Sequence, residues 1–274
     1  MAVCNRKWQC RLPRLRCRLA CQVAAFVMLG VAGAQASKPS EMELGAITRR
    51  GALLAEYDTA AWQATDAVQA NHPIEGRVSR YIARKTETGW VVDFGRLNEV
   101  GERFLVAYEA IQAGSPAKFN VRIFNPPRED TGWNLAAAKG IETAMRDFGE
   151  TNRPYNIAVL QAERESMYVY LYPAQVETDV YPLGADVRYH ISADGKEIIE
   201  KHQMHKTIME SAPAKTQVKG VFGYHTHALS DLPEDTDVLL VLTRKPRIPE
   251  IVVAGSYMFK IDVNGKISVE DRPK

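Results

Sequence analysis

The spacing of hydrophobic positions divides the chain into helical and strand-like segments. Between Glu41 and about Gln69, apolar side chains recur at helical spacing, which predicts one long helix or two consecutive helices. The segment Asn71–Pro73 is expected to end this region, because the residue before a proline resists the helical conformation. Four strand-like segments follow, separated by glycine, proline or charged turns: 78–84, 90–94, 104–110 and 119–124. This half of the chain predicts a helix followed by an antiparallel meander.

The second half of the chain begins after residues 125–132, where two prolines and a glycine predict an interdomain linker. Apolar residues from Leu135 to Phe148 then mark one face of a helix. Strand-like segments continue beyond it: 156–161, 167–172, 186–191, 197–202, 221–227, 238–243, 251–254 and 257–262. An Asp-Gly turn at 194–195 favours a hairpin between two of these strands. We therefore expect an α+β protein with a small module at 37–124 and a second domain at 133–274.

The first 36 residues have the pattern of a secretory signal peptide. A basic, acid-free segment up to Arg18 leads into an apolar run, residues 19–34. Ala34 and Ala36 place small residues where a signal peptidase cuts, so cleavage is expected after Ala36. An uncleaved anchor is the alternative, but the run is shorter than the roughly 20 residues that span a bilayer. We predict export to the periplasm or out of the cell, with no membrane span after cleavage.

Charge and cysteine content exclude several kinds of chemistry and one class of partner. All four cysteines lie in the predicted signal, so the mature chain has neither disulfides nor a cysteine nucleophile: Cys4, Cys10, Cys17 and Cys21. The first 36 residues also carry six of the 35 basic residues and no acidic ones, which leaves 29 basic and 33 acidic residues, a net charge of −4. This balance argues against nucleic acid as a partner, because such binding needs a concentrated positive face.

One segment, Gly223–Asp237, concentrates residue types that bind metal ions. In an extended strand, His225 and His227 project to the same side, a few ångströms apart. A carboxylate from Asp237, Asp235 or Asp231 could supply a third ligand, because the proline-broken segment lets the chain turn back. Three protein ligands with one open position are typical of a catalytic zinc site.

These residues resemble the JAB/MPN (JAMM-like) metalloprotease family, whose signature is His-x-His on a strand followed about ten residues later by an aspartate that starts a helix. His225, His227 and Asp237 match this pattern, and Leu-Pro-x-x-Thr-Asp at 232–237 is similar to secreted or bacterial members. The resemblance covers roughly residues 136–265. It implies a mixed, largely antiparallel sheet flanked by helices, with Zn²⁺ at the two histidines and Asp237.

The resemblance also implies an exported zinc-dependent hydrolase acting on a peptide or isopeptide bond in a peptide or protein substrate. Active members carry a glutamate as general base in the strand after the first helix, whereas residues 153–160 contain no acid here. Glu163 or Glu165, in the following turn, is the candidate replacement, and Ser230 or Thr236 is a candidate for stabilising an oxyanion.

A second interpretation is a non-enzymatic, envelope-associated binding protein with a degenerate JAB-like domain. Its histidines are then structural, and the meander at 78–124 contacts a partner. The absent glutamate favours this interpretation, while the retained His-x-His and aspartate favour the hydrolase. His202 and His205 face opposite sides of a predicted strand, so we expect both at the surface.

Overall fold

The computed structural model describes residues 38–211 and 222–271, so the predicted signal peptide lies outside the described residues. The described residues form one compact unit. The helices of the described part are α1 (Glu41–Gln69), α2 (Trp133–Phe148) and α3 (Asp235–Thr243). Its strands are β1 (Arg80–Thr86), β2 (Gly89–Leu97), β3 (Phe104–Ala113), β4 (Ser115–Asp130), β5 (Tyr155–Gln161), β6 (Met167–Pro173), β7 (Tyr181–Leu183), β8 (Val187–Ile191), β9 (Ile198–Gln203), β10 (Met209–Ser211), β11 (Gly223–Thr226), β12 (Glu250–Ala254), β13 (Tyr257–Ile261) and β14 (Ile267–Asp271). The mixed α+β class is confirmed. Within these ranges, each helix is too short or too polar to cross a membrane.

The N-terminal helical region is one helix, α1, and not two. It begins with a capping box, in which the Ser40 hydroxyl accepts a hydrogen bond from the Glu43 N–H and the Glu43 carboxylate accepts one from the Ser40 N–H. These two bonds satisfy backbone donors that would otherwise have no partner at the helix start. The buried face of α1 packs against the strands that follow, so the helix lies on the central core.

β1 to β4 form an antiparallel sheet in chain order, which confirms the predicted meander. Residues 125–132 were predicted to be a linker, but most of them belong to a strand: β4 continues as far as Asp130. Both prolines lie in residues 124–127, which bulge out of the ladder between Ile123 and Arg128. Proline is tolerated there because β4 is an edge strand and a bulged residue donates no ladder hydrogen bond.

The two halves of the chain share a hydrophobic core. One cluster of buried side chains combines Leu54 and Trp90 from the first half with Ala158, Tyr170 and Leu239 from the second. The segment predicted as a domain boundary therefore does not separate two cores.

The second half contains two larger sheets. β5, β6, β8 and β9 form an antiparallel sheet in that order. The hairpin predicted at the Asp-Gly turn, β8–β9, is confirmed. α2 packs on this sheet. The other sheet has the order β11-β12-β13-β14 and is mixed, because β11 runs parallel to β12 while the remaining pairs are antiparallel. A short pair, β7 with β10, lies outside both sheets.

The segment 238–243, predicted as a strand, is instead most of helix α3. A short, continuous apolar run does not distinguish a buried strand from a buried helix, and the prediction was wrong for that reason. α3 lies close to α1 because Gly51 has no side chain: a Cβ at this position would meet Val238 Cβ at 2.5 Å and the Asp235 carbonyl oxygen at 2.6 Å. The first turn of α3 is thereby held inside the molecule.

Candidate metal centre

The start of α3 fixes the orientation of Asp237. Glu234 is the residue before the helix, and its backbone N–H donates a hydrogen bond to Asp237 Oδ2 at 2.7 Å. The Asp237 side chain has no solvent exposure. Its Oδ1 is buried, and no donor of the described residues is aligned to hydrogen-bond with it. A fixed, buried carboxylate whose oxygen accepts no aligned hydrogen bond, although histidine nitrogens lie within 3.2 Å of it, is a ready ligand for a cation.

β11 places His225 and His227 on one side of the chain, as the sequence predicts. His225 pairs with Val252 in the parallel ladder with β12, and the His227 N–H extends this ladder by donating to the Val253 carbonyl at 2.8 Å. The two Nε2 atoms lie 3.1 Å apart. The predicted convergence of these two rings with Asp237 is therefore present in the structure.

A third histidine, His205, joins them, although it was predicted to lie at the surface. It is only 6% exposed. β9 ends at Gln203, and beyond it the side chain of Asp186 replaces a strand partner: its Oδ1 accepts hydrogen bonds from the His205 N–H at 3.0 Å and from Nδ1 at 2.8 Å. The ring turns inward as a result. His202 stays on the strand, where its Nε2 lies 3.0 Å from the Glu234 carboxylate.

The four side chains form a compact set of donor atoms, all within 4.8 Å of one another. His227 Nε2 lies 3.0 Å from His205 Nε2 and 3.2 Å from Asp237 Oδ2. Asp237 Oδ1 lies 3.2 Å from His205 Nε2 and 3.1 Å from His225 Nε2. Ligands of a tetrahedral zinc ion are about 3.3 Å apart, as bonds of 2.0–2.1 Å require. The spacing of this set matches a single ion.

The outer nitrogens of the three rings determine which way their lone pairs point. His205 Nδ1 faces Asp186, His225 Nδ1 faces Glu250 at 2.9 Å, and His227 Nδ1 faces the Leu232 carbonyl at 2.7 Å. Carboxylates and carbonyls only accept hydrogen bonds, so each Nδ1 carries the proton. In the neutral rings all three Nε2 lone pairs then point toward one another. Such an arrangement needs a cation at its centre, and it is how metal-binding histidines are usually oriented.

The pKa shifts of His205, His225 and Asp237 also show that the cluster favours positive charge. Burial alone lowers the pKa of His205, but the Asp186 and Asp237 carboxylates outweigh it and raise that pKa to about 11. Burial likewise opposes protonation of His225, where Asp237 and Glu250 raise the pKa to about 9. Burial raises the pKa of Asp237, yet the three histidines hold it well below its usual range. Protons or a metal ion can supply the charge, and the two compete.

Glu163 and Glu165, the predicted general bases, are not brought to this cluster. They form the turn between β5 and β6, next to the end of β6 where Met167 pairs with Ile191. Asp186 precedes β8 at the opposite end of the same ladder. Both glutamates are exposed. The strand β6 thus separates them from the histidines.

The other predicted residues lie around the cluster in supporting positions. The Ser230 hydroxyl bonds to the N–H and carbonyl of Leu232, the residue whose carbonyl orients His227. The Thr236 hydroxyl contacts the Met204 sulfur at 3.9 Å. Asp231 is exposed, whereas Asp235 is buried and pairs with Arg50 and Arg188. Of the three carboxylates left open as a third ligand, Asp237 alone belongs to the donor set.

Asp186 and Glu250 are the further carboxylates that touch the rings, and both lie behind them, at Nδ1. Glu250 is also paired with Arg244, at 2.7 Å. Neither carboxylate was identified from the sequence, because each is more than 15 residues from the histidine that it contacts and no local pattern marks it. His205 was missed for the same reason. The chain matches no family model, no curated protein and no solved structure.

Proposed function

We propose that this chain is a metal-binding protein whose centre holds one divalent ion, Zn²⁺, through His205, His225, His227 and Asp237. The observation that carries the proposal is the orientation of the rings: every Nδ1 donates outward, so that three Nε2 lone pairs and one carboxylate converge. Imidazole and carboxylate ligands at tetrahedral spacing suit zinc among the common divalent ions.

Four protein ligands favour a structural role for the ion. Structural zinc sites are closed by four protein ligands, whereas catalytic sites keep one position for water or substrate. The side chains of all four residues are at most 5% exposed. An ion bound here connects the segment after β9 with β11 and α3, and so stabilises the packing of one sheet against the other. This role agrees with the non-enzymatic interpretation of the sequence, in which the histidines are structural.

A metal titration tests the proposal. The chain is produced without a polyhistidine tag, stripped with a chelator, and titrated with Zn²⁺ by calorimetry. We expect one ion per chain, much weaker binding in His225→Ala, and unchanged stoichiometry and affinity in His202→Ala, whose ring contacts Glu234 and not the donor set. Absence of zinc binding in the unmodified chain, or equal binding in His225→Ala, contradicts the proposal.

A second candidate function is zinc-dependent hydrolysis of peptide or isopeptide bonds, as the resemblance to the JAB/MPN family implies. The observation that favours it is the subset His225, His227 and Asp237, which has the order and spacing of that family's ligands. A bound zinc ion there would act as a Lewis acid on the substrate carbonyl. The position of Glu163 and Glu165 argues against this function, because a general base must reach the reacting atoms.

We also propose that the chain is exported, on the basis of its N-terminal sequence. The basic segment, the apolar run and Ala34-Gln35-Ala36 together support cleavage after Ala36. N-terminal sequencing of the protein recovered from its native cell should give Ser37 as the first residue. A soluble cytoplasmic pool that retains Met1 contradicts export.

A further inference from the structure

The four proposed ligands come from two separate parts of the fold. His225, His227 and Asp237 belong to β11, the residue that follows it and α3. His205 follows β9, which belongs to the other large sheet. Without His205, the remaining three ligands are the kind of set that catalytic zinc sites use, with one coordination position free.

We infer that His205 closes the metal centre, and that its removal opens one coordination position to a small external ligand. This inference rests on the proposed metal centre. His205 Nε2 lies 3.0 Å from His227 Nε2 and 3.2 Å from Asp237 Oδ1, so it completes the coordination of an ion held by the other three side chains. A fourth strong ligand leaves a tetrahedral ion no position for water or substrate.

The contacts of His205 explain how it is held in that position. Asp186 accepts hydrogen bonds from both its backbone N–H and its ring, at 3.0 and 2.8 Å. Gly184, with φ +105°, lets the turn before β8 approach this segment, since a Cβ there would collide with the Thr207 carbonyl oxygen. These contacts all belong to the β8–β9 side of the molecule. His205 is thus delivered to the ion by a different structural unit from the other three ligands.

A small external ligand would occupy the space that the His205 ring leaves when it is removed. His205 Nε2 lies within 3.2 Å of both His227 Nε2 and Asp237 Oδ1, so a small anion or an imidazole molecule in its place would reach the ion. The cavity of about 190 Å³ beside the centre is lined by His225 and by Glu250, which faces the outer nitrogen of that ring, and by none of the other three proposed ligands. The His205 side chain itself is therefore what excludes an external ligand.

Cobalt substitution tests this inference, because Co²⁺ occupies zinc sites and its visible spectrum reports the coordination sphere. The chain and the variant His205→Ala are stripped with a chelator, loaded with Co²⁺ and titrated with sodium azide and, separately, with imidazole. We expect no spectral change in the unmodified protein and a saturable shift of the cobalt bands in His205→Ala. Metal affinity in the variant should fall by more than the roughly 10- to 100-fold that changes outside the ligand set produce.

Two further proteins complete the design. His202→Ala, which removes a nearby histidine outside the donor set, should behave like the unmodified protein. His205→Gln, whose amide is a far weaker metal ligand than imidazole and can be displaced by azide, replaces His205→Ala if circular dichroism shows that the alanine variant is unfolded. Azide binding to the unmodified protein, or a cobalt-loaded His205 variant with unchanged metal affinity and no response, overturns the inference. Failure of the unmodified protein to bind Co²⁺ or Zn²⁺ contradicts the proposed function instead.

Discussion

Asp235 and Asp237 lie two residues apart in the first turn of α3, and both side chains are fully buried. Asp235 is surrounded by permanent hydrogen-bond donors: Arg50 Nε at 2.9 Å, Arg188 Nη1 at 2.6 Å and the Tyr170 hydroxyl at 2.9 Å. Asp237 is surrounded by three histidine nitrogens at 3.1 to 3.2 Å. The same residue type in the same helical turn therefore meets two different kinds of partner.

The difference lies in whether the partner can give up its charge. Arginine remains charged at any physiological pH, so the protein itself neutralises Asp235 permanently. A histidine is either a protonated cation or a neutral ligand with a lone pair. The charge that Asp237 requires can thus come from a metal ion. Asp235 therefore connects α3 to α1 and β8 through charges that need no bound ion, whereas the charge that balances Asp237 depends on protons or a metal ion.

The largest expected effect comes from breaking the Asp235 network. Asp235→Ala should lower the free energy of unfolding by about 3 kcal/mol, because it leaves Arg50 and Arg188 without their buried partner. This value is at the lower end of the usual range, since the Arg50 side chain is 29% exposed. Urea unfolding measures it. The loss of unfolding free energy should be the same with and without a chelator. A loss that appears only without chelator would mean that Asp235 also depends on a bound metal ion, which contradicts the contrast with Asp237.

Metal removal should act on Asp237 and not on Asp235. Zn²⁺ at 100 times its dissociation constant should raise the free energy of unfolding by about 2.7 kcal/mol, because the ion binds the folded state. A chelator should abolish this gain. Asp237→Asn keeps three histidines but should respond much more weakly to the same zinc concentration, while Asp235→Asn should keep the full response. The measurement is thermal unfolding with each addition, and an undiminished zinc response in Asp237→Asn contradicts the assignment of this residue as a ligand.

A change outside the ligand set should have a smaller effect on the metal centre. Asp186→Asn keeps an oxygen that can accept from His205 Nδ1 but loses the charge behind the ring. Zinc affinity should fall by about 10- to 100-fold. Competition with a zinc-binding dye measures it. Asp231→Asn, an exposed carboxylate near Ser230, is the matched control and should leave the affinity unchanged; equal affinities in the two variants contradict a role for Asp186.

The smallest effect concerns His202, whose hydrogen bond with Glu234 raises its pKa above the ordinary value of 6.5. The protonated form is favoured in the folded protein, so this contribution to stability is fully present below pH 6.5 and is lost as the pH rises through the raised pKa. His202→Gln should therefore cost at most about 1 kcal/mol at pH 5.5. The cost should shrink in alkaline solution. Urea unfolding of both proteins at pH 5.5 and in alkaline solution measures this cost. A cost that grows with pH contradicts the stabilising role of protonated His202.

Local pattern predicted much of the fold. The helical spacing after Glu41 and the alternation in the meander identified α1 and β1 to β4, and the Asp-Gly turn identified the β8–β9 hairpin. The same alternation placed His225 and His227 on one side. The apolar run at 238–243 could not be assigned correctly, because a short buried helix and a buried strand have the same composition.

Contacts between residues far apart in the sequence could not be predicted from local sequence pattern. His205 is 20 residues before His225. It becomes a candidate ligand only because Asp186, in the connection between β7 and β8, accepts hydrogen bonds from its backbone N–H and its ring. The shared core of the two halves is a second example, since Leu54 and Leu239 belong to one cluster although they are 185 residues apart in the sequence. Sequence spacing describes neighbours along a helix or strand, and these residues are neighbours only in the folded chain.

Anomalous diffraction at the zinc absorption edge, from crystals of the tag-free chain loaded with Zn²⁺, would locate the proposed ion. We expect one strong peak enclosed by the Nε2 atoms of His205, His225 and His227 and an Asp237 carboxylate oxygen, at the roughly 2.0–2.2 Å typical of zinc ligands. A loaded crystal with no peak among these four side chains, or with zinc bound only elsewhere on the protein, contradicts the proposed metal centre.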